Sequence, residues 1–405
     1  MKPAHWCLIA SLYVTQFLPV AFFFMGLPAI LRSEGRSLEE IGTLYLLGFV
    51  WVLKIFWAPL VDRFSLPALG RYRGWLIVTQ SVMILLLLVI GQIGGTDDLG
   101  QIIVLSLLLT VFAATQDIAT DALTIKLLPP EKRSWGNSVQ VAGGLIGIVL
   151  GGGATLMLYE CVGWRGCFLL MAALLCLALA QVLALKEPRD EAAEAAPVGY
   201  SRLWRFWKKP GTGRWVVMML TVPVGIGMTF GLVTPMLIDI GWSTDSVGFV
   251  INIAGSLVGL LSVFVMGWLV QRFGRRRMII TAAFAQAVAI LAILPLATGS
   301  VSTLQILPGL LAVFLIYNPL ATVMLTVMMD RCDSNSAGTD FTAQYSLYSF
   351  VGFASGALAL NLASSLGYAG VVVLAAVIAT MAGIFAFVLF SREDSEDHAA
   401  AVDVS

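Results

Sequence analysis

The sequence predicts an all-α membrane protein with twelve transmembrane helices in two six-helix pseudo-repeats. Three observations carry that fold class: composition, the number of apolar stretches, and a loop motif that occurs twice. Hydrophobic residues make up 59% of the 405 and charged residues only 12%, with a mean hydropathy of +0.91. A soluble domain carries about 25% charged residues, so the chain is read as polytopic. Its net charge of zero points to no particular partner, and no nucleic acid is expected.

Twelve stretches are long enough to cross a hydrocarbon core of about 30 Å as helices. They lie near 6–31, 41–61, 75–93, 101–128, 137–159, 164–185, 214–239, 246–270, 277–298, 303–329, 342–366 and 368–391. The first is too long for a signal-peptide core and no small-residue cleavage site follows it, so it is expected to remain as helix 1. Placing the N-terminus in the cytoplasm puts 20 of the 24 Lys and Arg residues on that side. Arg32, Arg36 and Arg165 fall outside, and Lys54 lies deep within a span. This asymmetry predicts that both termini are cytoplasmic. Five cysteines point to no disulfide framework, and small apolar packing residues are the plainer reading of them.

The repeat is seen in two loops. "PLVDRFSLPALGRYRGW" follows span 2 and "GWLVQRFGRRRM" follows span 8, which aligns Asp62-Arg63 with Gln271-Arg272 at an offset of 209. The same offset takes Asp121 to Asp330. Two six-helix halves, 1–190 and 214–391, are therefore expected, joined by a cytoplasmic linker over 191–213 and followed by a disordered tail over 392–405. The second part of the linker interleaves Trp204, Phe206 and Trp207 with Arg202, Arg205, Lys208 and Lys209. It reads as an anchor for span 7 or as a lipid-interface helix.

Two six-helix repeats around a cytoplasmic linker resemble the major facilitator superfamily. "GWLVQRFGRRR" is similar to its loop signature between helices 2 and 3 and between 8 and 9. The resemblance implies a cytoplasmic gate made of Asp62, Arg63, Arg71 and Arg73 in the first copy. In the second copy it implies Gly267, Arg272, Gly274, Arg275 and Arg276. Within the superfamily, "VLKIFWAPLVDRF", "GRYRGWLIVTQ" and "ATQDIATDALTIKLLPPEKR" look like the AmpG-type permeases. That branch includes muropeptide importers, acetyl-CoA transporters and ferri-siderophore permeases of the RhtX/FptX type. Muropeptide importers typically carry a Tyr-Arg pair on helix 5, where this chain reads "VAGGLIG" with Gly144 and Leu145, and many have additional C-terminal helices. The compact form is more similar to the siderophore permeases. The resemblance thus implies a monomeric, proton-coupled secondary transporter of the bacterial inner membrane that imports a pyochelin- or rhizobactin-like iron chelate into the cytoplasm by alternating access. Import of cell-wall muropeptides is the alternative.

Asp117 and Asp121 stand one helical turn apart in span 4, so both carboxylates leave the same face. Counting from Pro129, Asp121 lies about 12 Å deep and Asp117 about 18 Å, while Lys54, counted from Asp62, lies about 12 Å deep. A charge at such depth faces the bundle interior and has a partner. Equal depth nominates Asp121 as the partner of Lys54, or else a static pair, with Asp117 hydrogen-bonded to Thr115 or Gln116. Asp117 is then the acid expected to take up and release a proton.

Cargo sites of this plan sit near the midplane. The candidate lining is Gln16, Phe23 and Met25 on span 1, Gln116 on span 4, and Met228 and Phe230 on span 7. Tyr317 and Asn318 on span 10 and Gln344, Tyr345 and Tyr348 on span 11 complete it. The two histidines, His5 and His398, are terminal, so a bare transition metal finds no imidazole in the spans. No Walker motif and no catalytic constellation occurs. A transporter without cofactor, rather than an enzyme, is expected.

Overall fold

The computed structural model describes residues 2–64, 69–93, 98–187, 198–300 and 302–389; the early linker residues 191–197 and the tail 392–405 lie outside the described residues. Among the described residues nine helices are long and apolar enough to cross a membrane. Seven are single crossings: α1 Pro3–Ser33, α3 Arg71–Ile90, α4 Leu99–Leu127, α7 Thr212–Asp239, α8 244–273, α9 275–297 and α10 Thr303–Asp330. The other two, Pro130–Ala184 and Ser334–Leu389, have 55 and 56 residues. As straight helices they would run about 80 Å, more than twice the hydrocarbon thickness.

Both long helices turn back at a glycine in the left-handed region, Gly163 with φ 68° and Gly367 with φ 69°. Gly has no Cβ to clash there. The reversal at Gly163 brings Cys167 Sγ within 3.5 Å of the Thr155 carbonyl. At Gly367 it brings Gly352 and Ala375 against Gly227 and Gly225, two residues apart on α7. The chain thus forms α5 (133–162) and α6 (164–184), and α11 (337–366) and α12 (368–389). All five cysteines are free thiols.

The twelfth crossing, α2 (38–63), is not a continuous α-helix. It opens on a capping box, in which Ser37 Oγ accepts from Glu40 N and Glu40 Oε2 accepts from Ser37 N at 3.0 Å. It then passes through 3₁₀ segments at Thr43–Gly48 and Lys54–Phe56, and bends at Trp57 before Pro59. Pro59 lacks the N–H a continuing helix would use.

The internal repeat has a different register from the expected one. Arg71 and Arg275 begin α3 and α9, Leu99 and Thr303 begin α4 and α10, and Arg133 and Ala337 begin α5 and α11, each pair 204 residues apart. The turning glycines Gly163 and Gly367 obey the same offset, as do Gly70 and Gly274, which precede α3 and α9 at φ 90° and 83°. The offset of 209 holds only for the end of α2 against α8. Seven residues, 64–70, separate α2 from α3 in sequence, whereas Gly274 alone separates α8 from α9. Asp121 therefore corresponds to Leu325, and Asp330 to Lys126.

Two compact units make up the chain. Unit 1 comprises Met1–Pro129, Ala142–Leu203 and Cys332–Ala343; unit 2 comprises Pro130–Val141, Trp204–Arg331 and Gln344–Ser405. Each unit thus follows one sequence half, except that it takes in the start of α11 or of α5 from the other.

In unit 1, α5 lies directly on α1. A Cβ on Gly143 would stand 2.7 Å from Tyr13 Cβ, one on Gly147 2.8 Å from the Val14 carbonyl oxygen, and one on Gly151 1.8 Å from that of Leu18. Small residues let the two backbones touch where lipid offers no competing hydrophobic drive. In unit 2, Gly227 and Gly231 of α7 meet Gly352 and Gly356 of α11 in the same way.

Candidate coupling site and gate

A buried polar cluster is built by α1, α2 and α4 of unit 1. Lys54, fully buried, forms an ion pair through Nζ with Asp117 Oδ2. Gln16 Nε2 donates to Asp117 Oδ1 at 2.5 Å. One turn away Tyr13 donates its hydroxyl to Asp121 Oδ1 at 2.8 Å. Trp57 Nε1 donates to Thr115 Oγ1 at 3.0 Å and ties the bend of α2 to α4 beside the pair. An ammonium and two carboxylates are thereby held at membrane depth among hydrogen-bonding side chains, as buried charge requires.

The partner of Lys54 is therefore Asp117, where equal depth had nominated Asp121. The reason is where the helices end. Lys54 lies nine residues from the end of α2 at Arg63, about 14 Å as ideal helix and about 15 Å with its 3₁₀ segment. Asp117 lies ten residues, about 15 Å, from the end of α4 at Leu127, and Asp121 only about 9 Å. Nor do Thr115 and Gln116 bond to Asp117: Thr115 Oγ1 donates to the Val111 carbonyl and Gln116 Nε2 to that of Leu12. Tyr13 was missed by sequence reasoning. The available signal was its spacing of three from Gln16, which puts both on one face of α1.

The candidate cargo residues divide by burial. Phe23 is fully buried in an aromatic cluster with Phe22, Trp164 and Phe168. Met228 belongs to the apolar core of unit 2. Gln116 is spent on the α1 backbone, and Gln344 accepts from Trp215 Nε1 at 2.7 Å while donating to the Met328 carbonyl. Asn318 is buried. These five are taken up by packing. Met25, Phe230, Tyr345 and Tyr348 are half-buried and Tyr317 is exposed, its ring 4.6 Å from that of Phe230.

The duplicated loop motif builds one polar contact set in each unit. In unit 1 Asp62, 2% exposed, accepts from the backbone N–H groups of Gly338 and Thr339 at 3.2 and 2.6 Å and from the Tyr72 hydroxyl at 2.9 Å. It caps the N-terminus of α11, where free N–H groups and the helix dipole favour an anion. Arg71 donates to the Asp62 and Asn335 carbonyls, and Arg73 to those of Val182 and Leu183 at the end of α6.

In unit 2 the equivalent of Asp62 is Gln271, which donates to the Glu131 carbonyl at 2.8 Å. Charge enters that contact set from Asp330, which accepts from Arg133 at 3.0 Å and Arg275 at 2.8 Å, while Arg275 also donates to the Pro130 carbonyl at 2.6 Å. Gly267 lets α5 approach, since a Cβ there would stand 2.4 Å from Ser138 Oγ. Gly274 supplies the positive φ that starts α9 directly after α8. Arg63 and Arg272 are exposed and lie over Phe64 and Phe273, and Arg276, in the first turn of α9, is half-buried.

A residue outside the motif also reaches α11. Arg202 of the linker helix Ser201–Trp207 binds Asp340 through Nε at 2.8 Å and Nη2 at 2.5 Å, and pairs with Asp333. The Asp340 carboxylate holds the guanidinium proton more tightly than usual.

The sequence description of the Major Facilitator Superfamily matches residues 9–360. The chain is 32% identical over 267 residues to an anhydromuropeptide permease of Escherichia coli K12; the match covers 63% of this chain and about half, 53%, of that relative. It is 26% identical over 293 residues to the putative transporter AmpG 4 of Rickettsia conorii, covering 69% and 70% of the two chains. The crystal structure of the human organic anion transporter MFSD10 (TETRAN) superposes with a TM-score of 0.70 at 14% identity, covering 95% of this chain and all of that one. The fold and the match over residues 9–360 establish that this chain, with its many candidate membrane spans, belongs to the Major Facilitator Superfamily.

Proposed function

We propose that the protein imports sugar–peptide fragments of the bacterial cell wall across the inner membrane by alternating access, coupled to protons. The observation that carries the coupling is the buried cluster itself. Asp117 and Asp121 share it with one ammonium, Lys54, so one proton balances its charge. Asp117 is already engaged by Lys54 and Gln16. The transported proton is therefore assigned to Asp121, a turn nearer the cytoplasmic end, with Tyr13 as its hydrogen-bonding partner.

The cargo assignment moves from an iron chelate to a muropeptide. The relatives named for a cargo are muropeptide permeases. Gly144, where the sequence lacks the pair on α5, lies between Gly143 and Gly147, which let α5 touch α1 beside Tyr13. Phe230 and Tyr317 offer a paired aromatic surface on which the apolar face of a pyranose ring stacks.

Purified protein in proteoliposomes with an inward proton gradient is expected to accumulate a radiolabelled anhydromuramyl-peptide and to leave a labelled ferric siderophore outside. Accumulation of the chelate alone would return the assignment to iron import.

A further inference from the structure

We infer that Arg202 of the linker is a positioning residue of the transport cycle, clasping the start of α11 and thereby setting how long the cytoplasmic seal of unit 1 stays closed. The clasp is a bidentate pairing of one guanidinium with Asp340, reinforced by Asp333. Asp340 is fully buried and stands on the first turn of α11, next to Gly338 and Thr339, whose N–H groups Asp62 holds. Its second oxygen also accepts from the Asp333 backbone N–H at 3.1 Å. The same turn is thus held from two directions: Asp62 takes the backbone donors, and Arg202 takes the side chain.

The clasp is not part of the duplicated gate. At the offset of 204 that relates the repeats, Asp340 corresponds to Gly136 and Asp333 to Pro129, so α5 offers a second arginine nothing to hold. A chain with two halves has one linker, and this linker reaches the start of α11. The geometry also separates it from a generic surface pair: planar Arg matched to a carboxylate by two donors is directional, and a buried acid left without its cation is costly. The segment must come free of unit 1 before the cytoplasmic side opens, so breaking the clasp belongs to that step.

The inference rests on the alternating-access reading but needs no cargo, so it is tested separately from the muropeptide assignment. Cys332, half-buried and adjacent to Asp333, serves as reporter. Inverted vesicles are treated with a membrane-impermeant maleimide, and labelling of the Cys332 peptide is followed by mass spectrometry. Arg202→Ala is expected to label about tenfold faster than the parent, and Arg202→Lys, which keeps the charge but loses the fork, to fall between them. Asp333→Asn, at an exposed position that leaves the Asp340 contacts in place, is expected to label two- to threefold faster. A parent-like rate in Arg202→Ala would overturn the inference. If Arg202→Ala does not reach the membrane, a parent-like rate in Asp333→Asn would overturn it instead.

Discussion

Lys54→Met is expected to abolish accumulation of folded protein in the membrane. The substitution keeps the length of the side chain and removes its charge, leaving Asp117 buried with only the Gln16 amide. Breaking a buried pair by deleting one partner costs about 3–5 kcal/mol, against a total stability of about 5–15 kcal/mol for a domain. Asp117→Asn in the same chain should restore most of the yield, because a neutral amide beside methionine returns the cluster to its parental net charge. Fluorescence-detected size exclusion of tagged protein reads the outcome. Equal loss in the single and the double variant would show that Lys54 is required for something other than its pair with Asp117.

Asp62→Ala is expected to have the second largest effect, on the cycle rather than on folding. It removes the acceptor of two α11 N–H groups and of the Tyr72 hydroxyl, all within a buried site. Hydrogen bonds to a charged group contribute about 1.5–3 kcal/mol each. Loss of about 3 kcal/mol from the closed seal shifts its equilibrium about a hundredfold toward opening. Maleimide labelling of Cys332 should accelerate beyond the Arg202→Ala rate, and uptake from the outer side should fall in proportion to the lost population. Asp62→Asn keeps one acceptor oxygen and should lie between. Labelling and uptake within twofold of the parent, at normal expression, would remove Asp62 from the seal.

Much of the architecture was legible because lipid imposes simple rules: length, apolarity and the distribution of basic residues are enough to count spans. The two hairpin turns at Gly163 and Gly367 were placed within a residue or two, since short connections between long apolar runs leave little choice. Register was less legible. The eye aligned Asp62 with Gln271 and carried that offset onward, but the loop before α3 is longer than Gly274, and every later equivalence shifted. The pairing of Lys54 failed for a related reason: depth on α4 was counted from Pro129, two residues beyond its end at Leu127, which set Asp121 level with Lys54.

Two site residues escaped sequence reasoning altogether. Tyr13 looked like one more apolar position on α1, and Arg202 like one of several basic residues in an interfacial anchor. Both act through partners more than a hundred residues away, a kind of contact that spacing cannot disclose.

The most direct measurement of the central claim, that the buried cluster couples protons to import, is proton flux driven by cargo alone. Proteoliposomes loaded with a pH-sensitive dye and given no initial gradient are exposed to external muropeptide. The wild-type protein should acidify the lumen in step with uptake, whereas Asp121→Asn should exchange cargo down its gradient without moving protons. Lumenal acidification that persists undiminished in Asp121→Asn, or cargo uptake by the wild type with no proton movement, would contradict the account.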